Sequence, residues 1–272
     1  MSDLNELFGE EEEKQVGSKG GAATGSDNPF ETLQVDFFET KLFDGTKVRY
    51  RPFLVKEQKS LMISQETGDQ AAQLMAMGML IEKCVVEPKL NYKELPMYDI
   101  DWLFLKIRTK SVGDTSTVKM KCKKCEKNAE VILDLDKAEI HVADDFKSEF
   151  IIDERTQIGV EMRTPKITDI QKYNLKEFEN NINDKIDLIE NCIVAVYSPT
   201  TKMKTEDVSK ATVTNFINNL GIKQFEKISS YFDKGPKTVI DDKFTCPFCK
   251  TVNGVHLEGT ANFFELDSDT IT

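Results

Sequence analysis

Four of the six cysteines in this 272-residue chain form two Cys-x-x-Cys pairs, Cys122-Lys123-Lys124-Cys125 and Cys246-Pro247-Phe248-Cys249. Two residues between cysteines let both sulfurs reach one ion from a tight turn, and zinc takes four tetrahedral ligands with sulfur about 2.3 Å away. Four thiolates fill that coordination sphere, so the centre would hold structure and leave no open position for a catalytic water. The expectation is one structural Zn2+ on Cys122, Cys125, Cys246 and Cys249. About 120 residues separate the pairs, far more than in an ordinary zinc ribbon, but loop-closure entropy grows only logarithmically with length. Four alternatives stay open: a thiol oxidoreductase, two structural disulfides, an iron cluster, or no bound ion at all. A redox pair sits at a helix N-terminus, whereas strand-like residues flank both pairs here. Disulfides are disfavoured in a reducing cytosol.

Cys84 and Cys192 stand alone on apolar helical stripes and read as small buried thiols. The two histidines, His141 and His256, lie in no HExxH or HxH pattern, and neither a phosphate loop nor a dinucleotide GxGxxG occurs. The carboxylates are scattered, and Asp241-Asp242 reads as a turn. The chain therefore reads as non-enzymatic.

Net charge is −11, from 47 acidic and 36 basic residues. That balance opposes a general attraction to nucleic acid or anionic lipid, and no nucleic-acid or small-molecule partner is expected. Lys119, Lys121, Lys123, Lys124 and Lys127 are the local exception, either as a solvated turn or as balance for thiolates. They also support a rival reading as a zinc-ribbon nucleic-acid-binding protein, with lysines on phosphates and Phe248 stacked on a base. No apolar run is long enough for a membrane span. Met1-Ser2-Asp3-Leu4 does not open a signal peptide, so a cytosol-like compartment is expected.

The elements that must position these residues follow from pattern. Residues 1–29, with Glu10 to Glu13 and then a Gly/Ser/Ala stretch, read as a disordered acidic tail with a short apolar segment at Leu4, Leu7 and Phe8. Leu33, Val35 and Phe37 alternate before an Asp44-Gly45 turn, and Val48, Tyr50 and Pro52 follow on the return strand. Helices are expected at 56–64 and 69–86, the second with Leu74, Met77, Ile81 and Cys84 facing a core. Asp99 is expected to cap a third helix, with Ile100, Leu103, Phe104 and Ile107 inward and Asp101, Lys106, Arg108 and Lys110 outward. The first knuckle then lies between strands at 117–121 and 131–135. A hairpin at 150–162 and helices at 168–178, 184–197, 206–220 and 223–232 precede the second knuckle, between strands at 239–245 and 252–257. The fold class is α+β, with helical segments, short β-hairpins and a split four-cysteine zinc-ribbon-like knuckle pair.

The two halves match each other. Leu80-Ile81-Glu82-Lys83-Cys84-Val85-Val86 is similar to Leu188-Ile189-Glu190-Asn191-Cys192-Ile193-Val194. Upstream, Val48-Arg49-Tyr50-Arg51 with Pro52 is similar to Val160-Glu161-Met162-Arg163 with Pro165. Downstream, each copy ends in a knuckle. Three features in one order point to an internal duplication, residues 30–147 and 148–272, against the alternative of chance likeness between amphipathic helices. Each copy would then bring two ligands to a shared ion.

Arg51-Pro52-Phe53, the Leu80–Val85 string, Asp99-Ile100-Asp101-Trp102-Leu103-Phe104-Leu105-Lys106-Ile107-Arg108, Ser111-Val112-Gly113 and the Cys122–Cys125 knuckle together resemble the baseplate hub subunit family of T4-like contractile-tailed bacteriophages. The resemblance covers residues 33–257, and the order of the pieces carries it. It implies a structural or assembly protein that contacts other hub proteins in the host cytoplasm, with a place in the virion tail left open. It supplies no catalytic positions. A helix face of Trp102, Leu105 and Arg108 is then a candidate contact surface, the alternative being that Trp102 is half-buried core.

Overall fold

A computed structural model describes residues 35–259 apart from Glu179. The acidic tail, Leu33 and the residues after 259 lie outside the described residues.

The chain opens on a hairpin, β1 (Phe38–Lys41) and β2 (Lys47–Tyr50), turned by Gly45 at φ +88°, and β3 (Val85–Glu87) pairs with β2 to complete a three-stranded antiparallel sheet. Over it pack α1 (Val55–Glu66), α2 (Gln70–Cys84) and α3 (Met97–Ser111). Asp69 caps α2, its side chain accepting from Ala71 and Ala72 N–H. Val48, Tyr50, Met77, Leu80, Ile81, Ile100, Leu103 and Ile107 are buried together as the first core.

The second half carries a four-stranded antiparallel sheet. Strands β7 (Glu149–Asp153), β8 (Ile158–Met162), β9 (Ile193–Tyr197) and β10 (Lys202–Lys204) run in the order β10-β9-β8-β7. Helices α4 (Ile167–Ile170), α5 (Leu175–Phe178), α6 (Ile182–Cys192), α7 (Lys210–Asn218) and α8 (Ile222–Lys234) accompany it. Its core gathers Val160, Met162, Ile189, Cys192, Ile217, Ile228 and Tyr231.

Between the two lie the knuckle hairpins, β4 (Thr115–Lys121) with β5 (Asn128–Asp134), and β11 (Lys237–Thr245) with β12 (Val252–Glu258). Strand β6 (Glu139–His141) leaves the first hairpin and pairs with β11 of the second. Leu105 of α3 lies under both hairpins with Val118, Leu133, Leu135, Ile240, Phe244, Val255 and Leu257. The halves also interlock elsewhere, since Ile167 of α4 is fully buried in the first core and Met97 N–H donates to Pro165 O. The fold is α+β, as the pattern of elements predicts.

Several element boundaries differ from expectation. The helices expected at 69–86 and 184–197 stop at Cys84 and Cys192, and the following residues are strand. Two causes combine at each end. Val85-Val86 and Ile193-Val194 are β-branched, and Arg51 and Arg163 donate backbone N–H bonds of 3.0 and 2.9 Å to the Cys84 and Cys192 carbonyls. The helix expected at 168–178 is broken into α4 and α5. That expected at 206–220 begins at Lys210, capped by Ser209 after a 3-10 turn at Thr205–Asp207. Asp99 is not a cap. Pro96 holds that position, and the Asp99 carboxylate instead accepts the Phe43 N–H at 3.0 Å from the first turn. Burial pushes that carboxyl up to about 6 against the opposing pull of this hydrogen bond.

Candidate metal centre

Each knuckle is a turn between antiparallel strands and is closed by the same backbone bonds. Cys122 N–H donates to Lys127 O at 3.0 Å and Glu126 N–H to Cys122 O at 2.9 Å; Cys246 N–H donates to Thr251 O at 2.9 Å and Lys250 N–H to Cys246 O at 2.9 Å. Glu126 and Lys250 take the same left-handed conformation, φ +57° and +59°. An αL position costs a non-glycine residue about 1–2 kcal/mol, so the turn is held by what surrounds it.

The four sulfurs converge, all lying within 4.8 Å of one another. Cys122 Sγ is 3.6 Å from Cys249 Sγ, and Cys125 Sγ is 3.7 Å from Cys246 Sγ. The short contacts therefore run between knuckles. A tetrahedron with 2.3 Å metal–sulfur bonds has edges of about 3.8 Å, so the quartet is sized for a single ion. Disulfide bonding requires sulfurs about 2.05 Å apart, and all four cysteines are free thiols. Neither pair stands at a helix N-terminus, the position that activates a redox cysteine.

Electrostatics within the quartet are uneven. Backbone N–H groups of Cys125 and Lys124, joined by the Asn253 amide, hold the Cys122 thiol down to about 6. The Cys249 thiol is lowered by the Thr251 hydroxyl and backbone N–H. At Cys125 the Lys127 N–H also favours the thiolate, but desolvation and the neighbouring sulfurs outweigh it and push the thiol up to about 11. Four thiolates this close repel one another, and a dication at their centre would remove that conflict.

Asn253 is the site residue that spacing did not reveal. It is buried on β12, accepts the Lys123 N–H at 3.0 Å, and directs Nδ2 to Cys122 Sγ at 3.5 Å and to Thr251 O at 3.0 Å. One side chain from the second hairpin thus orders the first knuckle. A signal was present, because on β12 Asn253, Val255 and Leu257 are the inward set, and an amide among apolar partners calls for a polar target.

Of the proposed contact face, only Trp102 reaches the surface, and it is half-buried. Its Nε1 donates to Thr40 Oγ1 at 3.0 Å, and Lys106 Nζ lies 4.4 Å from the ring centroid. Leu105 is 0% exposed and Arg108 4%. The expected contact surface is thereby narrowed: Leu105 is enclosed in the core beneath both hairpins, and Arg108 is buried as well. Asp101 is buried too. His256 faces away from the sulfurs on the exposed side of β12, 2.6 Å from Asp241. Cys84 and Cys192 are buried, and burial pushes each thiol up to about 12.

No helix of the described residues is long and apolar enough to cross a membrane. No curated protein and no solved structure matches the chain. A family model described as T4 bacteriophage base plate protein matches residues 36–265, a span that takes in both halves and all four knuckle cysteines. The α+β chain with its converging knuckle pair therefore belongs to the T4 bacteriophage base plate protein family, structural proteins of the phage tail.

Proposed function

We propose that this baseplate protein is a hub subunit, non-enzymatic, assembled in the host cytoplasm through contacts with other hub proteins, and fastened internally by one structural Zn2+. Cys122, Cys125, Cys246 and Cys249 would hold the ion. It would supply a cross-link between chain segments distant in sequence. The observation that carries this reading is the convergence of four sulfurs from two turns within 4.8 Å. A rigid internal cross-link suits a part that must hold its shape while neighbours assemble on it.

The domain organisation belongs to the same reading: residues 30–147 and 148–272 are two copies of one unit, each contributing one knuckle. Matched geometry beyond the knuckles supports it. Arg51 pairs with Glu57 at 2.9 Å, and the Glu57 carboxylate also accepts the Leu54 N–H at the start of α1. Arg163 pairs with Asp169, whose carboxylate accepts the Lys166 N–H at the start of α4. Both arginines follow the second strand of their sheet, and both backbones bind the carbonyl of a cysteine that ends a later helix, Cys84 of α2 and Cys192 of α6.

Metal content by mass spectrometry on protein purified without added metal tests the proposal. One zinc per chain, lost in Cys246→Ser together with folding stability, is the expected result. Zero metal would overturn the zinc fastening and return the thiol-exchange reading.

A further inference from the structure

Some lysines elsewhere in the molecule find carboxylates: Lys166 with Glu94, Lys202 with Glu149 and Glu161, Lys210 with Asp187, Lys227 with Glu154, Lys137 with Asp242. The knuckle tip gathers lysines that do not. Lys121, Lys123, Lys124, Lys127 and Lys250 are all exposed, and none forms an ion pair among the described residues. Within the two turns the one carboxylate is Glu126. Lys127 lies instead 5.0 Å from the centroid of the Phe248 ring, and Phe248 and Val252 are 57% and 63% exposed. A dication on four thiolates leaves two formal negative charges, fewer than the five lysines. The tip is therefore a basic surface with an apolar centre, on a chain whose net charge is −11. It fits a segment that is acidic and apolar together.

The chain carries such a segment. Residues 3–13 read Asp-Leu-Asn-Glu-Leu-Phe-Gly-Glu-Glu-Glu-Glu, six carboxylates and three large apolar side chains with no lysine or arginine. We propose that this segment docks on the knuckle tip of its own chain, Glu10 to Glu13 against Lys123, Lys124, Lys127 and Lys250, with Leu7 and Phe8 against Phe248 and Val252. Reach does not oppose it. The intervening residues up to Val35 span as much as about 70 Å when extended, and the strand that follows is tied by Thr40 to Trp102, which packs on the knuckle core. Tethering at this length supplies an effective concentration on the order of millimolar, so modest contacts suffice. Docked, the segment would cover the lysines against other polyanions. This inference rests on the charges and not on the identity of the metal.

Zero-length carbodiimide cross-linking of the full chain, mapped by mass spectrometry in a mixture of light and heavy isotope-labelled protein, tests it. Expected are cross-links from Glu10 to Glu13 onto Lys123, Lys124, Lys127 and Lys250 within one chain. They should fall several-fold in about 0.5 M salt, where surface charges are screened. A variant carrying Glu10→Gln, Glu11→Gln, Glu12→Gln and Glu13→Gln should bind a single-stranded oligonucleotide more tightly than the parent by fluorescence anisotropy. Cross-links scattered over other lysines, or found mainly between chains, would overturn the inference. Equal oligonucleotide binding by parent and variant would do the same.

Discussion

Asn253 shows how much of the centre rests on a residue that is not a ligand. Its amide satisfies a backbone N–H of the first knuckle and a sulfur of that knuckle from a strand of the second. Such outer contacts orient the ligands, and removing one typically costs 10–100-fold in metal affinity. Asn253→Ala should therefore weaken zinc binding about 10–100-fold in a chelator competition while far-UV circular dichroism stays unchanged. Asn253→Asp separates geometry from charge. It keeps the acceptor for Lys123 N–H but replaces the donor to Cys122 with a negative oxygen, so its affinity should fall at least as far as that of the alanine variant. An alanine variant with parental affinity would mean that the backbone turns alone order the sulfurs.

Among the elements, α3 carries the largest structural burden and departs furthest from its sequence reading. A 3.6-residue period of Ile100, Leu103, Phe104 and Ile107 reads as one buried face, and that face does line the first core. Leu105 falls on the opposite side, where pattern assigns solvent, yet it is fully buried beneath both hairpins. Periodicity reports the face that one core needs; it cannot report a second core brought by chain more than a hundred residues away. Leu105→Ala should cost about 2–5 kcal/mol in chemical denaturation, as for a fully enclosed leucine. Lys110→Ala, on the exposed flank of the same helix, should stay within about 1 kcal/mol. A small effect at Leu105 would show that the second core collapses readily around the gap. The same limit explains the other differences. The knuckles were legible because Cys-x-x-Cys spacing encodes its turn locally. The ends of α2 and α6 were not, because the bonds that stop them come from Arg51 and Arg163, just past β2 and β8. Leu105 reads as surface for want of the hairpins that cover it.

For the whole molecule the question is whether metal or core holds the two halves together. An ion on the four sulfurs closes a loop of about 120 residues, and a cross-link of that span is worth about 4–5 kcal/mol in the chain-entropy account. Small zinc modules unfold without metal because little else holds them. Here the hairpins share a core in which Leu105, Leu133, Leu135 and Ile240 are each fully buried, and each such side chain contributes about 1.5–3 kcal/mol. Ile167 adds a second tie between the halves, and β6 pairs across the boundary with β11. The halves therefore have ties that do not depend on the ion. Chelation should leave the protein folded, with unchanged far-UV dichroism and one cooperative unfolding transition at a lower denaturant midpoint. Amide exchange should quicken at 122–127 and 246–251 and change little in α3. A chain that loses its secondary structure on chelation would show that the ion, and not the shared core, holds the halves. An unchanged midpoint with unchanged exchange would show that the sulfur quartet holds its shape without a cation.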